Sequence, residues 1–462
     1  MSLGILKNVI YSLVTMVAMA ALGAMLVADA AVARARVPRA ADVQISVSQL
    51  PDASMRVVYT LRRPMRELIF DKTPGRYRAS RWRFETPGFE LQSYEGEDHI
   101  VMKSRERFER VVLVAKPHTI RMRKEYQPIA RYGEGGAMVY TGHFWPMTRR
   151  GWRADASFDF TPARGGDVVA FGARAPALRD WRSPMAHPAF VYMGPIEPVE
   201  TDNVMALIDP EAPPWIIAEF YGVTPRAFGW LADQFGFSPN AKPNLFLAAP
   251  LGEDEGRLSY SGDALPAQFQ ITLEGAAWRN PTDQAKNLFR RSTIHEAVHL
   301  WQSSARPAVE EVASWIHEGA ADAIAAETLV GLGLWDAKDM AEDFERARAE
   351  CAGDLNHGPL STAQYRGRYR AIYACGHVIA AAVSRADGAS VVDFWREFVA
   401  LARENGGYSE ALFYDLVLAR TGDRAFTDQV RYFVRTPHAK PARDIERLMA
   451  ASRAPLASPA AR

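Results

Sequence analysis

The chain has 462 residues, of which 48% are hydrophobic and 24% are charged. This composition, with 29 prolines and 32 glycines, excludes a disordered, collagenous or coiled-coil protein and predicts about two or three globular domains. The 55 Lys and Arg residues nearly balance the 54 Asp and Glu residues, which gives a net charge of +1. Nucleic acid is therefore not expected as a partner, because the chain has no overall positive charge to hold a polyanion.

An uncharged apolar run, residues 9–27, lies close to the N-terminus. Its length suits either a membrane-spanning helix or a long signal sequence. Ala31 and Ala33 give the A-x-A form of a signal cleavage site. We therefore predict that residues 1–33 are a signal peptide or an N-terminal membrane anchor. In both cases the body of the protein is exported, to the periplasm or to the outer face of the cytoplasmic membrane.

The chain contains two cysteines, Cys351 and Cys375. Two thiols are too few for a four-thiolate zinc site, so a bound metal would depend mainly on His and carboxylate ligands. An exported chain meets an oxidising medium, in which two cysteines can form a disulfide. Their spacing in the sequence does not decide between a disulfide and two free thiols.

Residues 34–200 are predicted to form a β-rich N-terminal domain. Short runs with alternating apolar residues, such as 43–50 and 55–61, are separated by clusters of Pro, Gly and Asp. This pattern is typical of antiparallel strands. Between Pro195 and Pro214 the composition shifts to Pro, Asp and Glu, which indicates a domain junction.

Residues 201–450 are predicted to form a mainly helical domain, with helix over almost all of the chain after Asn280. The earlier elements of this domain are predicted as helices 215–221 and 225–235 and strands 244–248 and 269–274. The tail, residues 451–462, has no periodicity and is predicted to be frayed. The predicted fold class is thus α+β, with an antiparallel β domain ahead of a mainly helical one.

A helix from Asn280 to Ser304 carries the most informative motif. We expect Asn280 as its N-cap and Pro281 at its first helical position. The helix contains the sequence HEAVH, in which His295 and His299 are four residues apart. Residues at this spacing lie on one face of a helix, so the two imidazoles can bind one zinc ion.

Glu296 follows the first of these histidines and is not predicted to be a ligand. Its carboxylate can accept a proton from a water molecule whose pKa a zinc ion lowers towards neutrality. An HExxH sequence also arises by chance in roughly one chain of this composition in a hundred, so the motif needs further support.

That support comes from Glu318, which lies 19 residues after His299 on a second predicted helix, 308–330. Three protein ligands with a fourth position left for water are typical of catalytic zinc sites. Asp322 lies one helical turn beyond Glu318, where its carboxylate can accept the free N–H of a ligating histidine. The alternative for Asp322 is a solvated charge on the helix surface.

The pattern HEAVH, eighteen residues and then Glu318 within WIHEGAAD, resembles the gluzincin metallopeptidases, particularly the aminopeptidase-N-like and glycyl-aminopeptidase-like groups with their W-x-x-E-G signature. The resemblance implies a thermolysin-like catalytic domain, a Zn²⁺ cofactor and a peptide or protein substrate. It makes His295, His299 and Glu318 zinc ligands and Glu296 the general base, in agreement with the chemistry of these residues.

The same resemblance points to a catalytic tyrosine. In these aminopeptidases a tyrosine in a Y-x-x-G context, about 55 to 60 residues after the third ligand, stabilises the oxyanion. Tyr373 lies 55 residues after Glu318, in the sequence YACG. Tyr373 also shares a helical stripe with Tyr365 and Tyr369, so a packed aromatic face is the alternative, with Tyr369 as the second candidate.

The sequence departs from this family at one segment. The aminopeptidase-N-like enzymes carry G-x-M-E-N about 35 residues before HExxH, and its glutamate binds the substrate amine. Residues 262–266 of this chain read GDALP, without that glutamate. Asp263, or Glu274 at the end of the predicted strand, is a candidate replacement. The sequence therefore leaves open whether cleavage occurs at the N-terminus of a substrate or inside it.

The sequence as a whole predicts an exported zinc-dependent peptidase of the gluzincin type, with aminopeptidase activity as one form of it. The alternative is a non-hydrolytic, zinc-stabilised binding protein of the cell envelope, in which the metal only braces two helices. The intact glutamate of the motif favours the peptidase, because a structural site needs no base beside it. The oligomeric state and the task of the β domain are not indicated.

Overall fold

The computed structural model describes residues 40–452, except 72, 74–75, 118–124, 164, 185, 240–241, 305–312 and 357. The predicted leader, residues 1–33, lies outside the described residues. Within the part that is described, no helix is both long and apolar enough to cross a membrane.

The N-terminal part is built from strands and one short helix, α1 (Tyr77–Arg81). Its strands are Val43–Gln49 (β1), Met55–Met65 (β2), Glu67–Asp71 (β3), Trp82–Phe84 (β4), Phe89–Tyr94 (β5), Glu97–Met102 (β6), Phe108–Ala115 (β7), Ile129–Arg131 (β8), Ala137–Tyr140 (β9), Ala156–Thr161 (β10), Asp167–Ala170 (β11), Ala173–Ala175 (β12), Leu178–Trp181 (β13) and Phe190–Gly194 (β14). They form sheets of order β13-β10-β1-β2-β7-β4, β12-β11-β14-β9-β8 and β3-β6-β5. Alternate residues of β1 are buried, as the apolar pattern predicted.

The antiparallel prediction holds for most of these pairs but is wrong for β1 and β10. These two strands pair in parallel, with Val43 opposite Ala156. More than a hundred residues separate them along the chain, so no hairpin turn imposes the antiparallel arrangement. Sequence periodicity is the same for both kinds of pair when one face is buried, and it could not distinguish them.

The second part begins with a five-stranded sheet of order β15-β16-β17-β19-β18. Its strands are Val199–Glu200 (β15), Met205–Ile208 (β16), Asn244–Ala248 (β17), Ser259–Leu265 (β18) and Gln268–Glu274 (β19). Strands β16, β17 and β19 are parallel, and β18 is an antiparallel edge strand that forms a hairpin with β19. The two predicted strands correspond to β17 and β19. Strand β18 was missed because its sequence, SYSGDAL, lacks apolar alternation.

The helices that follow are Pro214–Phe235 (α2), Asp283–Gln302 (α3), Ser314–Gly331 (α4), Ala337–Leu355 (α5), Tyr369–Asp387 (α6), Val391–Glu404 (α7), Glu410–Thr421 (α8), Arg424–Arg435 (α9) and Pro441–Ala451 (α10). The helical prediction after Asn280 is thus confirmed. The separate helices 215–221 and 225–235 are one continuous helix, α2, which contains Pro225. Helix α10 extends through Ala451, and residues 453–462 lie outside the description.

The predicted start of α3 is wrong by two residues. Asn280 has extended backbone and closes a short 3₁₀ turn by donating its N–H to Ala277. Thr282 is the N-cap instead, because its side-chain oxygen accepts a hydrogen bond from the N–H of Ala285. Helix α4 begins at Ser314, and residues 308–312 of its predicted span are not described.

Three apolar clusters hold these layers together. One fills the N-terminal sheets, and a larger one lies among the helices and the inner face of the second sheet. The third joins the two parts: Tyr140 and Phe190 of the N-terminal part pack against Phe246 and Leu265 of the second sheet. Gln268 reinforces this contact, since its side-chain amide both donates to and accepts from the backbone of Phe190 at 2.8 Å. The N-terminal part is therefore packed directly against the second sheet, including β17, β18 and β19.

Candidate metal centre and active site

Helices α3 and α4 bring the three predicted ligands together. His295 Nε2 and His299 Nε2 are 3.1 Å apart, and Glu318 Oε2 is 3.3 Å from each of them. Zinc–ligand bonds of about 2.0–2.1 Å in a tetrahedral arrangement place neighbouring ligand atoms about 3.3 Å apart. The three side chains therefore fit one zinc ion, with a fourth position open.

The Nδ1 atom of each histidine, on the side of the ring away from the metal position, faces a hydrogen-bond acceptor that orients the ring. Asp322 Oδ1 lies 2.8 Å from His295 Nδ1, as the sequence predicted, and Gln302 Oε1 lies 2.7 Å from His299 Nδ1. Both acceptors are buried. An acceptor at Nδ1 holds the proton there and leaves Nε2 free to bind a metal.

Gln302 was missed by the sequence interpretation. Its amide is fixed at both ends, because its oxygen faces His299 and its nitrogen donates to the carbonyl of His317 at 3.0 Å. This arrangement joins helix α3 to helix α4 immediately before Glu318. The only signal in the sequence was the i, i+3 spacing from His299, which many helix residues share.

A buried charge chain continues behind Asp322. Arg291 lies 3.2 Å from Asp322 Oδ1 and 3.1 Å from Asp343 Oδ1, and Asp343 is 2% exposed. Burial alone would raise the pKa of Asp322, but the cations Arg291 and His295 hold it well below its usual value. Asp322 therefore stays an anionic acceptor for the imidazole.

The site is strongly anionic. Burial lowers the pKa of His295, but Asp322, Glu318 and Glu296 outweigh this effect and raise it to about 10 in the metal-free chain. The carboxylates that favour the protonated form of His295 also attract other positive charges. A divalent cation can therefore bind in place of that proton.

Glu296 lies between the histidines and the edge strand. Its side chain is 6% exposed and faces Gly262 of β18, where an added Cβ would overlap the Glu296 carboxylate. The glycine thus allows the strand to pass directly over the predicted base.

Tyr373 lies on helix α6, with its ring centroid 5.7 Å from that of His295. Burial, reinforced by Glu318 and Glu296, raises the pKa of its hydroxyl well above 10, so the group remains a hydrogen-bond donor at neutral pH. Tyr373 therefore lies beside one of the predicted zinc ligands. Gly319 and Gly376 make this possible, because a Cβ on either would overlap the backbone of the other helix.

His317 precedes Glu318 and occupies the other flank of the centre. Its Nδ1 lies 2.7 Å from the hydroxyl of Tyr408, and its ring centroid is 5.8 Å from that of His299. His317 is therefore anchored to the segment that precedes α8, and its Nε2 lies 4.0 Å from Oε1 of Glu318.

The candidate amine-binding carboxylates differ in position. Glu274 pairs with Arg257 at 2.7 Å on the outer part of the strand. Asp263 accepts a hydrogen bond from Gln270 at 2.6 Å. Burial raises the pKa of Tyr126, and Asp263, Glu318 and Glu296 each add to this effect. Asp263 is the neighbour of Gly262, which faces Glu296, whereas Glu274 is the last residue of β19.

Cys351 and Cys375 form a disulfide with an S–S distance of 2.06 Å. It links helix α5 to helix α6, two residues after Tyr373. The pairing that the sequence left open is therefore present in the structure.

Solved structures share this fold. The chain superposes on an aminopeptidase N family protein from Idiomarina loihiensis with a TM-score of 0.63 at 12% identity, over 88% of this chain and 78% of that one. The TM-score is 0.53 at 11% identity with yeast LTA4 hydrolase, over 88% and 71% of the chains. It is 0.50 at 16% identity with a Deinococcus radiodurans M1 zinc metallopeptidase mutant bound to a Tyr-Ser-Ala substrate, over 86% and 93%. No protein-family model and no curated protein sequence matches the chain.

These likenesses show a shared fold, in which a β-rich N-terminal part is followed by a mainly helical part. The predicted α+β fold class and the predicted resemblance are confirmed at the level of the fold.

Proposed function

We propose that the chain is a zinc-dependent peptidase. The observation that carries the proposal is the set of three ligand atoms 3.1–3.3 Å apart, with Glu296 next to His295 in the sequence and the ring of Tyr373 5.7 Å from that of His295. When bound by His295, His299 and Glu318, zinc would supply a Lewis acid that polarises water and the scissile carbonyl.

The chain's own residues would divide the remaining chemistry. Glu296 accepts the proton that the attacking water loses and passes it to the leaving amine, so the peptide bond breaks while Glu296 returns to its starting state. Tyr373 donates its O–H to the carbonyl oxygen as negative charge develops there. The free edge of β18 offers backbone groups with which an extended peptide can pair.

The proposal includes a site for the substrate amine. Asp263 is the candidate carboxylate for this site, because it is the neighbour of Gly262, which faces Glu296. A free N-terminal amine would therefore favour cleavage, and an acetylated peptide would be cleaved more slowly. An Asp263→Asn variant should lose this preference. Equal cleavage of free and acetylated peptides by the unmodified chain would contradict aminopeptidase specificity and favour an endopeptidase.

We further propose that the protein acts outside the cytoplasm. The apolar run at residues 9–27 supports export, and the Cys351–Cys375 disulfide suits an oxidising compartment. Fractionation of the producing cells, with the redox state of the cysteines measured in each fraction, tests this part of the proposal.

The decisive experiment compares the Glu296→Gln variant with the unmodified protein and with the matched control Glu342→Gln, which alters an exposed glutamate of α5. We expect all three to bind about one zinc per chain and only Glu296→Gln to lose peptide turnover, by roughly 10²-fold or more. A His299→Ala variant should lose the zinc. Full turnover in the Glu296→Gln variant, or zinc binding without turnover in the unmodified protein, would favour the non-hydrolytic binding protein.

A further inference from the structure

One end of the N-terminal part carries an exposed surface that is both basic and apolar. We call it the basic tip, and it consists of Arg63, Met65, Arg66, Arg149, Arg150 and Trp152. Arg63 and Met65 lie at the end of strand β2, and Arg66 connects β2 to β3. The other three residues lie in a tight turn, which the N–H of Thr148 closes by donating to the carbonyl of Trp152. The two segments are held side by side, since the N–H of Met147 donates to the carbonyl of Ile69 at 2.7 Å and Arg149 pairs with Glu67 at 2.5 Å.

The apolar members of the basic tip are unusually exposed. The Trp152 side chain is 73% exposed and Met65 is 42% exposed. Single exposed apolar residues are common, but a tryptophan among arginines has the composition of a membrane-interface anchor. Its ring is apolar and its N–H is polar, so it is stabilised where hydrocarbon meets lipid headgroups.

The charge of the basic tip is only partly compensated. Glu67 pairs with Arg149. No carboxylate among the described residues forms an ion pair with Arg63, Arg66 or Arg150, and all three are exposed. Guanidinium groups bind phosphate oxygens well, because their fork of N–H donors matches the phosphate geometry.

The beginning of the described chain lies at the same end of the molecule. Asp42 and Val43 donate their N–H groups to the carbonyl of Asp155 at 2.9 and 3.1 Å, and the Asp42 carboxylate pairs with Arg62 at 3.1 Å. Asp155 is three residues from Trp152. The apolar run at residues 9–27 precedes this point in the sequence. The described chain therefore begins at the end of the molecule that carries the basic tip.

We propose that the basic tip docks on the surface of an anionic lipid bilayer. Trp152 and Met65 enter the headgroup region, and the unpaired arginines contact lipid phosphates. Charge complementarity supports an anionic surface, and the exposed tryptophan supports a bilayer over an acidic protein. The basic tip shares no residue with the candidate metal centre, and the proposal does not rest on peptidase activity.

The test uses the full chain reconstituted into phosphatidylcholine vesicles with and without phosphatidylglycerol. A Trp152→Cys variant carries an environment-sensitive fluorophore, and quenching by brominated lipids reports contact with the bilayer. The matched control is a fluorophore at Tyr365→Cys, because Tyr365 is 82% exposed and lies in the helical domain. Labelling without reductant spares Cys351 and Cys375, which are paired and buried.

We expect at least twofold stronger quenching at position 152 than at position 365 in vesicles that contain phosphatidylglycerol. The difference should vanish in the double variant Arg66→Glu, Arg150→Glu and persist in Arg66→Lys, Arg150→Lys. Unchanged thermal unfolding of each variant establishes that the fold is intact. Equal quenching at the two positions, or the same difference without the anionic lipid, would overturn the proposal.

Discussion

At the scale of single residues, the two metal-facing histidines are held by acceptors of different charge. His295 faces the carboxylate of Asp322, which is backed by Arg291, whereas His299 faces the neutral amide of Gln302. A carboxylate raises the basicity of its histidine more than an amide does. Asp322 thus both orients His295 and increases its basicity, whereas the amide of Gln302 mainly orients His299.

Replacing Gln302 by Leu should weaken zinc binding. The change removes the acceptor of His299 and the donor to the His317 carbonyl, and loss of such outer contacts typically costs about 10–100-fold in metal affinity. Competition with a chromophoric chelator measures the effect. A Gln302→Glu variant keeps the acceptor but loses the donor, so its affinity should fall less. If the Gln302→Leu variant bound zinc as tightly as the unmodified protein, Gln302 would not be needed to position His299.

The elevated pKa of His295 predicts a pH-dependent stability of the metal-free protein. The charged imidazole favours the folded state, so its stabilisation is complete below the ordinary pKa of 6.5 and is lost as pH rises towards about 10. We expect the melting temperature measured in a chelator to fall between pH 7 and 10. Zinc-loaded protein should lack this contribution, and an Asp322→Asn variant should show a flatter profile. A melting temperature that does not change with pH in the metal-free protein would contradict the charge assignment.

At the scale of elements, the close contact of α4 and α6 positions Tyr373, which we propose as the oxyanion donor. Gly319 follows the third ligand, and Gly376 lies three residues after Tyr373; each occupies the space that a side chain on the other would need. The helices can therefore approach until Tyr373 lies beside His295. The W-x-x-E-G signature contains one of these glycines, so part of this signature has a packing role as well as a catalytic one.

A Gly319→Ala variant should be less stable by about 1–3 kcal/mol, because the added Cβ overlaps backbone that cannot move as a flexible side chain would. Turnover should also fall as α6 and Tyr373 shift. Urea unfolding and peptide turnover measure the two effects. The matched control is Gly222→Ala in helix α2, where a Cβ meets nothing within 4 Å; it should gain about 0.5–1 kcal/mol. Equal stability of both variants would refute the close-contact interpretation.

The sequence patterns predicted the boundaries of some helices and strands incorrectly. Thr282 replaced Asn280 as the cap of α3 because both residues favour that role and only the neighbouring 3₁₀ turn decides between them. Strand β18 has a polar sequence, and it exists because β19 supplies a hydrogen-bonding partner along its full length. Helix α2 continues through Pro225, where a break was predicted.

At the scale of the whole molecule, the N-terminal part closes one side of the site. Tyr126 donates its hydroxyl hydrogen to the carbonyl of Ala264 in β18 at 3.4 Å, and its ring packs on Tyr140 and Phe190. The β-rich part is thus in contact with the edge strand that borders Glu296. It therefore lies next to the strand that we propose as a border of the substrate space.

The disulfide should contribute to global stability. It closes a loop with a sequence separation of 24, and such a cross-link typically adds about 3 kcal/mol by restricting the unfolded chain. The Cys351→Ser, Cys375→Ser double variant should unfold at correspondingly lower urea. Both cysteines are fully buried, so a reductant should not reach the disulfide in the folded protein. We expect it to cleave the disulfide only when the chain unfolds. Identical unfolding curves for the oxidised protein and the double variant would contradict this expectation.

The sequence by itself determined the order of the two parts, the helix that carries HEAVH, the third carboxylate and the candidate tyrosine. These features depend on spacing along one helix or on short motifs, and local geometry is enough to define them. The tertiary structure alone decided the pairing of Cys351 with Cys375, the parallel contact of β1 with β10 and the role of Gln302. It also brought Tyr126 into contact with Ala264 of the edge strand β18. Each of these depends on contacts between segments distant in the chain or on the orientation of one side chain, and neither leaves a periodic signal in the sequence.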